Sequence, residues 1–236
     1  MQIAHSVLMP TSTQGKTTLG WKIPSDAWNK FVLGGKGDYL EEYNGHTFQV
    51  SHVDATFPYG GVTYKLKQFH THTVSEHTVD GEHYDMEMQF VHTTDDFTAF
   101  NKILVVSVFF KVGAGQGSPT WLRQLSSAVE SAGSSPAQVI PLDFTEIAES
   151  VMIGTLPQNA KFKGFKPNYN NFWGYQGSLT TPPCTEGVQW LVLTNPIYAE
   201  ATEIDPFKAK EGDNFRPIQP LYERKITVRE CGLQCD

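Results

Sequence analysis

Short apolar or alternating runs, separated by Gly and Pro, make up most of the chain, and their period is that of strands. Residues 47–53, 62–69, 84–92, 103–112 and 188–193 each read as a β-strand. Residues 103–112, ILVVSVFFKV, are almost continuously apolar, which predicts a central strand covered on both faces. In 84–92 the alternation is two-sided. Met86, Met88 and Phe90 form an apolar stripe, and Asp85, Glu87, Gln89 and Val91 share the other face. Helical spacing occurs at 119–132 (PTWLRQLSSAVESA), with Pro119 at its start and Gly133 just past it, and more weakly at 143–151. The first 39 or so residues carry weak signals and predict partly irregular chain. There is no internal repeat and no low-complexity linker, so the pattern predicts one β-rich domain over residues 1–236.

Bulk properties narrow the classes. A length of 236 residues suffices for one domain with a large core. Apolar residues at 39% and aromatics at 12% are ordinary for a globular chain. A formal net charge of −7 argues against nucleic acid or anionic membrane as the main partner. No run approaches the ~18 consecutive apolar residues of a membrane span. Residues 1–20 are polar and lack the apolar core of a signal peptide, so either a targeting segment is missing from this chain or the protein is not secreted. The three cysteines, Cys184, Cys231 and Cys235, allow one pair and one free thiol, or a missing partner; two thiols in a Cys-x3-Cys ending fall short of a metal site.

Candidate chemistry concentrates in 68–92. Gln68, His70 and His72 alternate along a strand and so share a face. Two imidazoles roughly 7 Å apart along a strand can share one zinc ion, given Zn–N bonds of about 2.1 Å. A His-x-His alone is more often structural. The following segment, Ser75 to Gly81, places Asp80-Gly81 near a hairpin tip and returns through the strand that carries Glu87 and Gln89. Polar residues on an inward face need a reason to be there, and a metal site with its supporting groups supplies one.

The stretch QFHTHTVSEHTVDGEHYDMEMQFVH resembles the signature of the α-type carbonic anhydrases, in which His-x-His and a third histidine on the returning strand bind zinc. His70 and His72 match the first two, and the third position falls on Gln89. Four further segments match in order: Asn44-Gly45-His46-Thr47-Phe48-Gln49-Val50; Phe109-Phe110-Lys111-Val112-Gly113; Gly177-Ser178-Leu179-Thr180-Thr181-Pro182-Pro183, continuing to Glu186 and Trp190; and Asn214-Phe215-Arg216-Pro217 with Gln219-Pro220. The matched region runs from about residue 40 to 226. The resemblance implies a mostly β fold, a large twisted, mainly antiparallel central sheet with short peripheral helices.

It also implies a reaction, the reversible zinc-dependent hydration of carbon dioxide to bicarbonate, and a role for each residue. His70, His72 and Gln89 would hold Zn2+. Thr180 would accept a hydrogen bond from the nucleophile and pass its own proton toward Glu76. His46 would carry the proton outward, its ordinary pKa of about 6.5 suiting exchange near neutrality. Val91, Val105, Leu179, Val188 and Trp190 would form the apolar pocket for carbon dioxide, with Thr181 beside bicarbonate. Gln68 would hold one imidazole, Glu87 would orient residue 89, and His77 would bond to Glu87. A secreted or organelle-lumenal location is implied in the same way.

Gln89 is the departure that matters. An amide oxygen is a poorer zinc donor than imidazole, so zinc binding is expected to weaken by at least about 10–100-fold. The amide is neutral, so the acidity conferred on a bound water is expected to survive. His92 has the wrong strand parity to substitute, and His83 lies about 20 Å along the strand. Thr73 stands where the family usually has Trp, the loop from His72 to Glu76 is short, the N-terminal segment lacks the family's Ser-Pro stretch, and Cys184 lacks its usual N-terminal cysteine. Two readings follow: a weakened zinc-dependent carbonic anhydrase, or a metal-free relative acting as a binding, storage or scaffold subunit, with a protein partner at the atypical N-terminal face.

Overall fold

A computed structural model describes residues 2–3, 31–32, 40–41, 46–51, 55–94, 103–113, 117–131, 141–142, 146–147, 150–151 and 172–229. Most of the weakly patterned N-terminal stretch, most of the expected 143–151 helix, and Cys231 and Cys235 lie outside the described residues. In chain order the elements are β1 (Gln2–Ile3), β2 (Phe31–Val32), β3 (Leu40–Glu41), β4 (Gln49–Ser51), β5 (Thr56–Tyr59), β6 (Val62–His72), β7 (Thr78–Val79), β8 (Glu82–His83), β9 (Met86–Thr93), β10 (Ile103–Val112), α1 (Thr120–Ser131), β11 (Pro141–Leu142), β12 (Phe172–Ser178), β13 (Glu186–Leu193), β14 (Ile197–Ala199), α2 (Ala201–Glu211) and β15 (Thr227–Arg229).

Ten of the described strands form one sheet in the order β15-β12-β13-β10-β9-β6-β4-β3, with β14 also on β10 and β5 also on β6. Most neighbours are antiparallel, but β10 runs parallel to both β13 and β14, so the sheet is mixed. The apolar run of β10 sits at the centre, and seven successive residues from Leu104 to Phe110 are buried. Met86, Met88 and Phe90 are fully buried in one apolar cluster with Phe69, Val106 and Val108. Each such side chain contributes about 1.5–3 kcal/mol through burial. On the other face Val105, Phe109, Val188 and Trp190 form a second cluster.

One irregularity sets the direction of the site. In β6, Leu66 pairs with His92 and Gln68 with Val91, so Lys67 is an extra residue, a β-bulge. Before it the even positions Tyr64 and Leu66 are buried; after it the odd positions Phe69 and Thr71 are. The bulge therefore reverses the alternation and turns Gln68, His70 and His72 away from the face that Leu66 occupies.

The two described helices cover the sheet. In α1 the apolar positions Trp121, Leu122, Leu125, Ala128 and Val129 are buried, and the first turn closes on the carbonyl of Pro119. The helix α2 was not legible as such, since Pro206 interrupts it and only Ile204, Phe207 and Glu211 are buried. It ends at Gly212 (φ 63°), whose N–H bonds the carbonyl of Lys208.

Candidate metal centre

The register brings the predicted site residues together. Gln49 pairs with His70, His70 with Gln89, Gln89 with Ser107, and His72 with Glu87. The His70 and His72 rings are 5.0 Å apart between centroids. Asp80 (φ 52°) and Gly81 (φ 88°) form the tip of the β7–β8 hairpin, matching the Asp-Gly signal, and the chain then returns into β9.

Each polar side chain here has its outer atoms engaged. Nδ1 of His70 is 2.8 Å from Oε1 of Gln68, and Nδ1 of His72 is 3.3 Å from the carbonyl of Asn214. An imidazole that donates from Nδ1 to a carbonyl oxygen keeps a bare lone pair on Nε2. Burial, and then the nearby His72, lower His70 to about 3 against the opposing pull of Glu87 and Gln89, so the ring is neutral at ordinary pH. Neutral imidazole is the ligating form.

Gln89 is 1% exposed and donates both amide protons, to Glu76 Oε2 at 3.0 Å and to Glu87 Oε1 at 3.1 Å. Two carboxylates can receive only the NH2 end, so the carbonyl end is the one turned to His70, where its hydrogen bond favours a protonated ring. Glu87 is fully buried. Burial alone would raise its carboxyl, but His77, by charge and by two hydrogen bonds, and the Ser107 hydroxyl outweigh it and hold it well below the usual carboxylate range. Behind it runs a relay. Tyr175 OH lies 2.7 Å from His77 Nε2, and His77 Nδ1 lies 2.7 Å from Glu87 Oε1. Burial, aided by Glu87, drives the Tyr175 hydroxyl well above its ordinary value, so it stays a donor. Glu76 accepts the Arg216 backbone N–H at 2.9 Å on Oε1.

The remaining predicted residues lie on neighbouring strands and loops. His46 is exposed, its ring 6.0 Å from that of His72, and its carbonyl accepts Asn214 Nδ2 at 2.7 Å. Val105, Val188 and Trp190 are buried in the second apolar cluster, with Val91 and Leu179 packed against it. Val91 lies across from Val105, and Val105 across from Trp190. Thr180 lines a cavity of about 240 Å³ together with Glu76, His77, Tyr175, Ser178 and Arg216. Thr181 is exposed. Gly177 lies tight beneath Tyr175 and Trp190, where a Cβ would approach Tyr175 to 2.7 Å. His83 packs at a tilt against Phe215 and bonds the carbonyl of Ser75, and His92 is buried against Phe57, so neither approaches the pair. Cys184 is a free thiol.

Three residues were missed by sequence reasoning: Ser107, Tyr175 and Glu211. Ser107 gave no signal within an apolar run, and Tyr175 belonged to a strand, β12, that was not predicted. Glu211 lay in the unpredicted helix α2.

The eukaryotic-type carbonic anhydrase family model matches residues 35–230. The chain belongs to the eukaryotic-type carbonic anhydrase family. It is 33% identical over 184 residues to a carbonic anhydrase of Nostoc sp., covering 78% of this chain and 61% of that one. It is 34% identical over 188 residues to a carbonic anhydrase of Neisseria gonorrhoeae, covering 78% and 65%. The chain thus spans less than two thirds of the length of these curated relatives. The solved α-carbonic anhydrase of Thermovibrio ammonificans, in complex with sulfanilamide, is 29% identical with a TM-score of 0.68, covering 96% of this chain and 84% of that one. Dioscorin, 23% identical with a TM-score of 0.74, shares the fold.

Zinc is the cofactor this family implies, and the atoms left over test whether it fits. Among the described residues no three His, Cys, Asp or Glu side chains gather as ligands, so a third donor has to be of another kind. Nε2 of His72 is buried without any hydrogen-bond partner, 3.5 Å from Glu76 Oε2. The donors at hand are therefore the unpartnered Nε2 of His72, the His70 ring and the amide oxygen of Gln89 that bonds it, next to the Glu76 carboxylate. His72 Nε2 and the Glu76 carboxylate face each other with no hydrogen bond between them, and a cation there would satisfy both. The donor set fits zinc, with the amide as its weakest member.

Proposed function

We propose that this chain catalyses the reversible hydration of carbon dioxide to bicarbonate and a proton, with zinc held by His70, His72 and Gln89. The observation that carries the proposal is the buried, unpartnered Nε2 of His72 beside Glu76, the carboxylate that also holds the NH2 end of Gln89. Zinc when bound supplies a Lewis acid that makes water acidic enough to act as nucleophile near pH 7.

The protein's own groups do the rest. Glu76, anchored by Arg216 and Gln89, would accept a hydrogen bond from the Thr180 hydroxyl, which would leave the Thr180 oxygen to accept one from the nucleophile and orient it. Val91, Val105, Leu179, Val188 and Trp190 offer carbon dioxide an apolar wall that does not compete for it through hydrogen bonds. Thr181 stands at the exposed side, where bicarbonate leaves. His46, exposed and next to His72, passes the proton to buffer.

The test is zinc content of the purified protein followed by stopped-flow hydration of carbon dioxide with added zinc. Activity that His70→Ala abolishes and Gln89→His raises supports the proposal. A protein that binds no zinc at millimolar metal refutes it. A second reading, a metal-free binding or scaffold subunit, is favoured by one observation: both Gln89 amide protons are satisfied without metal. That reading expects Gln89→His and His70→Ala to change nothing.

A further inference from the structure

Gln89 poses a problem that a histidine would not. An amide is nearly symmetric in shape, so its oxygen and its NH2 group can exchange places by a turn about the last side-chain bond, and only the surrounding hydrogen bonds decide which faces the metal. Turned the wrong way, Gln89 would present two donors to a cation.

Its orientation depends on the plane of the Glu87 carboxyl, whose Oε1 accepts from Gln89 Nε2 at 3.1 Å. Rotated away, that carboxyl would no longer accept from the amide, and one of the two acceptors that hold the NH2 end outward would be lost. Ser107 lies directly across from Gln89 on β10, is fully buried, and donates its hydroxyl to Glu87 Oε1 at 2.6 Å. That is the shortest of the three bonds on this oxygen, the others being His77 Nδ1 at 2.7 Å and Gln89 Nε2 at 3.1 Å. A hydroxyl donating to a buried carboxylate fixes its plane.

We propose that Ser107 is the positioning residue that fixes the amide oxygen of Gln89 toward the His70–His72 pair, acting through Glu87. The proposal rests on the zinc reading above, since it concerns the third donor of that site. Ser107 and Gln89 form a matched cross-strand pair. An imidazole at position 89 has a single N–H for the carboxylates and no carbonyl end to misplace, so it has less need of the serine.

The test combines two measurements on Ser107→Ala and Ser107→Thr, each in the parent and in the Gln89→His background. Zinc affinity is read by competition with a chromophoric chelator. Hydrogen exchange of the Gln89 side-chain amide is read by 15N–1H NMR of the metal-free protein, the resonance being assigned by its loss in Gln89→His. Ser107→Ala is expected to weaken zinc binding at least about tenfold in the parent, as for other groups that orient ligands, and less than about threefold with Gln89→His. It should speed Gln89 amide exchange by about tenfold or more, and Ser107→Thr, which keeps the hydroxyl, should restore both. If Ser107→Ala does not fold, Ser107→Cys, a weak donor of similar shape, replaces it. Equal weakening in both backgrounds with unchanged amide exchange would mean a merely structural serine and overturn the proposal. Should the parent bind no zinc, the catalytic reading falls, and the amide exchange of the metal-free protein still decides the role of Ser107.

Discussion

The carboxylate of Glu211, at the end of α2, accepts the hydroxyl of Thr71 at 2.7 Å, on the side of β6 opposite His70 and His72. Its Oε1 also accepts the Phe48 backbone N–H at 2.8 Å, and the Thr47 hydroxyl lies 3.3 Å away, while Oε2 is buried without a hydrogen-bond partner. A buried acid thus ties α2 to both the His46 and the His70–His72 segments.

Burial raises the Glu211 carboxyl from 4.5 to about 7, against the opposing bonds from Phe48, Thr71, Thr47 and Thr73. The folded state therefore holds this proton more tightly than the unfolded chain. The resulting stability is fully present below pH 4.5 and is lost as pH rises through about 7. The amount is on the order of 3 kcal/mol. Glu211→Gln, which stays neutral, should lack this component. Urea unfolding of both proteins at pH 4.5 and pH 8 checks it: the difference between parent and variant should grow in the variant's favour toward pH 8. A difference independent of pH would refute the assignment.

The Lys67 bulge gives a second prediction. The Lys67 side chain is exposed, so Lys67→Ala should alter stability by no more than about 0.5 kcal/mol. Deletion of Lys67 restores unbroken alternation from Leu66 onward and forces either His70 and His72 or Tyr64 and Leu66 onto the wrong face. Thermal unfolding with and without zinc should show the deletion protein strongly destabilised or no longer stabilised by zinc. Zinc stabilisation as in the parent would show that the bulge does not set the site's direction.

Much of this arrangement was readable beforehand, and the bulge shows where reading stopped. The alternation of Met86, Met88 and Phe90 against Glu87 and Gln89 gave the strand and its inward polar face, because a period of two survives burial on both sides. The apolar positions Tyr64, Leu66 and then Phe69 carried the parity break in plain view, yet a single skipped residue is indistinguishable from ordinary variation without a partner strand to count against. The helix α2 was hidden for a physical reason: Pro206 is disfavoured within a helix, and packing of Ile204 and Phe207 overrides the local preference. Ser107 and Glu211 were invisible because their roles arise from pairing across the sheet and from packing between α2 and β6. Neither leaves a local pattern.

Tyr175→Phe tests the relay behind Glu87. The change removes the hydroxyl that meets His77 Nε2 and leaves that buried nitrogen without its partner. The cost should be about 1–3 kcal/mol in chemical denaturation. Zinc affinity should fall by less than for Ser107→Ala, because His77 retains both its ring and its backbone bonds to Glu87. A zinc affinity that falls further than in Ser107→Ala would place Tyr175, rather than Ser107, as the residue that governs Glu87.

Substitutions at Gln89 should separate metal affinity from stability. In the metal-free protein the amide supplies two protons to two carboxylates, 3.0 and 3.1 Å away. A histidine there supplies one, so either Glu76 Oε2 or Glu87 Oε1 loses a donor while buried. Gln89→His should therefore be less stable than the parent without metal by about 1–3 kcal/mol, although it binds zinc more tightly. Gln89→Glu supplies none and sets a third carboxylate against the other two. It should be the least stable of the three without metal, and it should gain the most from added zinc, since the cation then neutralises the cluster. The expected order of metal-free melting temperature is Gln, His, Glu at position 89, and the expected order of the zinc-induced rise is the reverse. A Gln89→His protein more stable than the parent in the presence of a strong chelator would show that the two carboxylates do not depend on the amide, and with them would go the argument that Gln89 is held oxygen-inward.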